Sequence, residues 1–494
     1  MNTPLFSFDN TQTKMPDAFY ERVNPTPVKK PDLIKLNEEF ATELGLDIDA
    51  LKSSDAIDTY GGNYIPEGAD PIALAYAGHQ FGNLVPQLGD GRAILLGEVV
   101  SPEGIRYDIQ LKGAGRTPFS RGGDGRAAIG PIMREYLLSE AMVKLGVPTT
   151  RALAAVTTGE EVVRDRILPG AVITRIATGF VRVGTFQYFA IRDNKDAVKQ
   201  LADSVIARNY PEVTNAENPY LALLEAVAER QATLIAKWMQ FGFIHGVMNT
   251  DNMSIAGETI DYGPCAFMDE FDFNRVYSSI DRNGRYAYSN QPIMGQWNLI
   301  RLAETFLPLL HKDSEQAVSI AEEILKGFQT QYEVYWLEGM RSKIGLTKPE
   351  EGDRGLINEL LQCMADNKAD FTLTFHYLSQ LELASTESNK AIRDLFTKPE
   401  AFDAWAIKWR ERLTRENSRD EERKAAMQAM NPIYIPRNHQ IEAAIRAAED
   451  HDDFSVFHEL YDVLQTPFNF QSGKESYMLP PEPEEEVLQT FCGT

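Results

Sequence analysis

Apolar positions along this chain change period several times, and each change predicts an element. Residues 33–46, opened by Lys30-Pro31-Asp32, have the spacing of a capped helix. Across residues 73–126, short apolar runs alternate with glycines. Two of these runs, 93–100 and 107–112, predict a hairpin turned by Ser101-Pro102-Glu103-Gly104. Tyr107, Ile109 and Leu111 alternate with Asp108 and Gln110, so one side of that strand faces a core. Pro131 opens a helix reaching about Leu145, where Gly146-Val147-Pro148 ends it. Strands follow around 152–156 and 171–176, and 221–241 reads as a long helix, apolar over much of its surface and hence buried. Beyond Gln296 the pattern is mostly helical, with tryptophans at 297, 336, 405 and 409. Residues 480–486 (Pro-Pro-Glu-Pro-Glu-Glu-Glu) read as an extended, solvated tail.

No internal repeat stands out, and the pattern divides into five regions. They are an N-terminal extension (1–60), an N-lobe-like region of strands (61–180), a C-lobe-like region (181–330), a helical region (331–478) and an acidic flexible tail (479–494). The order of strands, helix, strands and then helices predicts an α+β chain with a bilobal, protein-kinase-like fold and a large helical C-terminal half.

Composition narrows the functions. An apolar share of 43% with 10% aromatics is that of a globular chain. Asp and Glu number 72 against 49 Lys and Arg, a net charge of −23. So acidic a surface repels nucleic acid and anionic membrane, and any phosphate site must be a local basic pocket. Three cysteines make neither a disulfide framework nor a zinc site, the N-terminus lacks a signal-peptide pattern, and no apolar run approaches the ~18 residues of a membrane span. The expectation is a cytoplasmic monomer.

Four short stretches carry the chemistry. Lys112 ends a strand, from which its ammonium can reach a phosphate lying over the sheet. Glu135 lies in the first turns of the next helix, where the equivalent kinase glutamate holds such a lysine in place. His245-Gly246-Val247-Met248-Asn249-Thr250-Asp251-Asn252 follows the long helix as a kinase catalytic loop does, and Asn252 has the spacing of a metal ligand. Asp261-Tyr262-Gly263 then matches the metal-binding D-F-G segment. With Asn252 it supplies oxygen ligands suited to Mg²⁺ or Mn²⁺. One kinase part is missing. The base position two residues after the histidine is Val247, whose isopropyl group accepts no proton. Asp251 can supply that base from elsewhere on the loop, while His245 reads as a structural anchor.

Glycine-rich segments flank the hairpin. Gly89-Asp90-Gly91-Arg92 precedes it, and residues 113–126, with Asp124 and Gly125, follow it. Glycines let backbone N–H groups approach phosphate oxygens, although no G-K-[ST] follows to make a Walker A loop. Arg175 and Arg182, on either side of Thr178-Gly179-Phe180, can fork onto phosphates or serve as salt-bridge partners.

The strings at 110–118, 245–252 and 261–264, with Asn431-Pro432 and 434–438 in the helical half, resemble the selenoprotein O family over nearly the whole chain. The resemblance implies a kinase-like fold that binds ATP end over end and moves AMP, rather than the γ-phosphate, to Ser, Thr or Tyr hydroxyls of proteins. It implies Asp251 as proton acceptor and Asn252 and Asp261 as ligands of Mg²⁺ or Mn²⁺. Lys112, Arg175 and Arg182 would hold phosphates, Gly89, Gly91, Arg92, Asp124, Gly125 and Asp261 would line the nucleotide, and Glu135 would position Lys112. Transfer of UMP from UTP with Mn²⁺ is the alternative within the class. An inactive ATP-binding pseudokinase scaffold is the alternative outside it, although these intact polar residues would be superfluous there. Relatives carry a redox-active residue near the C-terminus. Here Cys492 stands there, while the partner position downstream of Asp-Tyr-Gly is Tyr277, so a disulfide would need Cys265 or Cys363.

Overall fold

A computed structural model of the chain describes residues 4–384, 389–416 and 419–491. Its centre is an antiparallel eight-stranded sheet built from β1 (Tyr20–Arg22), β2 (Asp32–Leu36), β3 (Ile72–Leu74), β6 (Ala93–Val100), β7 (Arg106–Lys112), β8 (Ala127–Ala128), β9 (Arg151–Val163) and β10 (Ile167–Ala177). Two small pairs stand apart from it, β4 (Gly78–Gln80) with β5 (Asn83–Val85), and β11 (Phe243–Ile244) with β12 (Ala266–Phe267). The order across the large sheet is β1-β3-β6-β7-β10-β9-β2, with β8 also paired to β10.

The predicted hairpin is present, with Ala93 opposite Lys112 and Val100 opposite Arg106. The strands expected at 152–156 and 171–176 form the centre of a longer hairpin, β9 and β10. Both faces of the sheet are covered. Ile94, Leu96, Ile109 and Leu111 pack with Phe40, Leu51 and Tyr60, from the N-terminal helices, on one side. Leu95 and Ile173 pack on the other, toward the helix Ile129–Lys144. Asp108 and Gln110, the polar half of the β7 alternation, are therefore buried in polar networks rather than solvated.

The helix expected over 33–46 is a correction. Residues 32–36 are strand β2, paired with β9, and the helix is confined to Glu38–Glu43. Ile34 and Leu36 bury themselves at a period of two against the sheet. The Asn37 side chain then accepts from Phe40 N–H and caps a shorter helix. The N-terminal 60 residues thus supply two strands of the sheet and part of its cover.

Most helices follow β10. Pro219–Phe241 packs on Gln291–Leu310 and on Ser314–Lys343, and Trp405 and Trp409 are buried further on, their indole N–H groups donating to Leu356 O (2.9 Å) and Ile344 O (2.8 Å). The acidic C-terminal segment is exposed over most of 480–486, yet Thr490 beyond it is buried. Its N–H donates to Tyr277 O (2.8 Å) and its hydroxyl to Pro264 O (2.6 Å). Cys492 lies outside the described residues. No helix among the described residues is long and apolar enough to cross a membrane.

Lys343 is buried with its ammonium over the rings of Phe375 (4.3 Å), Phe241 (5.6 Å) and Phe371 (5.7 Å), in no ion pair among the described residues. Burial pulls its pKa down to about 7. Between pH 7 and 10.5 the unfolded chain keeps this proton and the folded chain does not, so stability rises with pH across that window. Lys343→Met is expected to stabilise the fold at pH 7 by roughly 3 kcal/mol and to flatten that rise. Urea denaturation at pH 7 and pH 9 checks both.

Candidate active site

The sheet and the helices after β10 enclose a cavity of about 710 Å³. Register explains its floor. Lys112 and Gln110 lie on one face of β7, and Arg175 on β10 stands opposite Gln110, so all three side chains point the same way. Arg175 Nε donates to Gln110 Oε1 (2.7 Å). The helix Ile129–Lys144 brings Glu135 in from above, 2.5 Å from Lys112 Nζ and 3.2 Å from Arg175 Nη1.

Asp261 closes this cluster from the far wall. Its Oδ1 lies 2.7 Å from Arg175 and 3.3 Å from Lys112, and its Oδ2 lies 2.6 Å from Arg182. Burial alone would raise the Asp261 pKa, but Arg182, Arg175 and Lys112 together hold it well below the usual carboxylate range. Arg182 is buried as well, its Nη1 donating to Asp251 O (2.6 Å) and its Nη2 lying 3.8 Å from Asp90. Among the described residues the cavity is lined by seven cations (Arg92, Lys112, Arg121, Arg126, Arg164, Arg175, Arg182) and five carboxylates (Asp90, Asp124, Glu135, Asp251, Asp261). In a chain of net charge −23 this lining is locally basic, seven cations to five carboxylates.

The glycine-rich segments form the cavity's mouth. Gly89, Gly91 and Arg92 line it beside Phe119. Asp124 is held by Arg164 (2.9 Å). Gly125 has φ +68°, and a Cβ there would lie 2.0 Å from Gly115 O, so no other residue lets the loop fold back so closely.

Asp251 sits on the turn Thr250–Asn252. Its carboxyl is buried, Gln80 Nε2 reaches Oδ2 at 3.3 Å, and Oδ1 has no hydrogen-bond partner among the described residues. Burial pushes its pKa up to about 6, against the pull of Arg182. Val247 also lines the cavity. His245 is buried, its Nε2 2.9 Å from Ile260 O, and acts as an anchor of the loop rather than as a cavity group.

The donors available to an ion are hard oxygens. Asn252 uses its Nδ2 on Val247 O (3.0 Å), which leaves the amide oxygen, and the Asp261 carboxylate oxygens, each already paired with a cation, keep a further lone pair. That chemistry fits Mg²⁺ or Mn²⁺. Among the described residues no three His, Cys, Asp or Glu groups form a metal cage, so such an ion would take its other ligands from phosphate and water.

Sequence reasoning missed the β4–β5 hairpin. His79 N–H donates to Thr250 Oγ1 (2.7 Å) and Phe81 N–H to Asn249 Oδ1 (3.0 Å), so the hairpin grips the loop that carries Asp251. A Cβ on Gly78 would lie 2.3 Å from Asp251 Oδ1, which is why that position is glycine. The available signal was Gly-His-Gln-Phe-Gly-Asn, two glycines around a polar–aromatic triplet. Its partner lies 171 residues away in the chain, and no local pattern encodes that contact. Asp90, the buried counter-ion of Arg182, was likewise passed over as part of a turn. For the cysteines, Cys265 is buried, and burial pushes the thiol of half-buried Cys363 up to about pKa 11, which disfavours the reactive thiolate.

Comparison with known proteins makes the chain a nucleotidyltransferase. A family model described as "Protein adenylyltransferase SelO" matches residues 5–465. "Protein nucleotidyltransferase YdiU" of Rhodopseudomonas palustris (strain BisB5) is 59% identical over 492 residues, covering 100% of both chains. The proteins of the same name from Rhizobium meliloti (strain 1021) and Bradyrhizobium diazoefficiens are 58% and 55% identical, covering 99% and 100% of each chain. The chain belongs to the SelO family.

Proposed function

We propose that the protein transfers AMP from ATP to Ser, Thr or Tyr hydroxyls of other proteins, releasing pyrophosphate. The observation that carries this reading is Asp251. It is a buried carboxylate with one unpartnered oxygen, at the edge of a cationic cavity whose kinase-base position is Val247. A kinase-like bilobal arrangement is supported by the Lys112–Glu135 pair and by the sequence of loops carrying Asn252 and Asp261. In it the nucleotide lies reversed, with its outer phosphates on Lys112, Arg175 and Arg182 and its α-phosphate toward Asp251.

The Asp251 carboxylate accepts the proton of the acceptor hydroxyl, whose oxygen bonds to the α-phosphorus as the bond to the β-phosphate oxygen breaks. Glu135 and Gln110 hold Lys112 and Arg175 in place, so charge on the departing pyrophosphate meets donors that need no rearrangement. Asn252 and Asp261 would hold Mg²⁺ or Mn²⁺, which supplies charge neutralisation at the reacting phosphate. The acidic surface favours protein acceptors over nucleic acid, and the proposal places the protein in the cytoplasm as a monomer.

Incubation with ATP labelled at the α- or the γ-phosphate tests the reading. Label from the α-position is expected on protein acceptors and label from the γ-position is not. Retention of γ-label would make the protein a kinase. Preferential incorporation from α-labelled UTP with Mn²⁺ would make the transferred group UMP.

A further inference from the structure

A second groove, of about 570 Å³, adjoins the nucleotide cavity, and Phe81 and Ile280 line both. Phe81 stands at the turn of the β4–β5 hairpin with φ +51°, a left-handed conformation that a bulky residue rarely adopts, and its ring packs on Tyr286 (5.2 Å). The preceding residue, Gln80, touches Asp251. This wall therefore separates the groove from the proposed base by the width of one side chain.

Two arginines and one acid line the groove. Arg282 is exposed and Arg285 is half-buried, its guanidinium 4.8 Å from the Trp297 ring centre. Neither arginine is in an ion pair among the described residues, and Arg285 Nε has no hydrogen-bond partner. Asp281 is the single acid of the lining, and its two oxygens are taken by the N–H groups of Arg285 (2.9 Å) and Tyr286 (2.8 Å). With 72 acids against 49 bases in the chain, two arginines without acidic partners beside the active cavity mark a place for an external anion. Ile280, 61% exposed, and Met294 add an apolar strip.

We propose that this groove docks the acceptor segment of the protein substrate, and that the segment carries acidic side chains, with an apolar one beside them, next to the hydroxyl that receives the nucleotide. The proposal rests on the AMP-transfer reading for the identity of the acceptor. Arg282 and Arg285 hold the acidic side chains, Ile280 and Met294 hold the apolar one, and the chain passes Phe81 so that its hydroxyl meets Asp251. At roughly 3.3 Å per extended residue, the recognised acids lie within a few positions of the acceptor.

The test uses the full-length protein and short fluorescent peptides containing one Tyr flanked by Glu or by Lys. Fluorescence anisotropy reads peptide binding, and α-labelled ATP reads transfer. The Glu peptide is expected to bind and to be labelled about tenfold better in kcat/KM than the Lys peptide. Arg282→Glu, at an exposed position, is expected to raise KM for the Glu peptide, to favour the Lys peptide, and to leave ATP affinity unchanged. Equal binding of the two peptides overturns the proposal, and so does an Arg282→Glu variant that loses ATP rather than peptide. Selective binding without label transfer upholds the groove and counts against AMP transfer alone. Transfer without selectivity does the reverse.

Discussion

Replacing Asp251 by Asn is expected to lower the transfer rate by about 10²- to 10⁴-fold, the usual contribution of a positioned general base. Asn keeps the shape of the carboxylate and most of its hydrogen bonds, so ATP affinity should change little. The pH profile is the sharper reading. With its pKa pushed up to about 6, Asp251 is protonated and inactive in acid, and the rate should climb through pH 6 to a plateau near neutrality. The residual rate of Asp251→Asn should lose that climb. Stability should move in the opposite direction to activity. The fold favours the protonated form, so between pH 3.8 and 6 the folded chain binds a proton that the unfolded chain has released, and stability falls as pH rises through that window. Above it the ionised carboxylate opposes folding, and Asp251→Asn should raise stability by about 1–3 kcal/mol at pH 7. A variant that is less active and also less stable would argue that Asp251 is structural.

Arg182→Met is expected to damage both fold and binding. The guanidinium lies between Asp261, Asp90 and the backbone oxygen of Asp251; Asp90 and Asp251 are buried, and Asp261 faces the cavity. Removing one member of a buried ion cluster leaves the others uncompensated, at a cost of about 3–5 kcal/mol. Denaturation curves should show that loss, and ATP affinity should fall at least about tenfold because the proposed phosphate partner is gone. Asp261, held below its ordinary pKa of 3.8, contributes stability that is present above that pH and fades as pH falls through its depressed value. The variant, with one cation fewer beside Asp261, should show a weaker acid dependence. Arg182→Lys should recover only part of the loss, since an ammonium is a single point charge where the guanidinium spans several partners.

Much of this was legible because the signals were local. The 93–100 and 107–112 runs announced a hairpin, and Pro131 and Gly146 bracketed a helix that the structure places at Ile129–Lys144. Lys112, Glu135, Asp251, Asn252 and Asp261 could be singled out because each lies at a fixed offset from a recognisable turn or strand end. Residues 33–46 misled because an apolar run with a Pro-Asp start satisfies a helix template. The open edge of β9 took its first half as a strand, a choice made by a partner more than a hundred residues away. The Gly-His-Gln-Phe hairpin escaped for the same reason, since its importance lies in touching the loop at Asp251.

By itself the sequence determined which chemical groups this protein owns: a lysine, arginines and carboxylates in a set order, a glycine-rich mouth, and a valine where a kinase keeps its base. Local spacing encodes these because turns, caps and strand ends are set by neighbouring residues. Only the tertiary structure decided which charges face one another: Asp261 is clasped by three cations, and, among the described residues, Asp251 keeps an unpartnered oxygen and two arginines in no ion pair line the adjoining groove. Those facts depend on burial and on contacts between distant segments, and burial sets the energy of a charge.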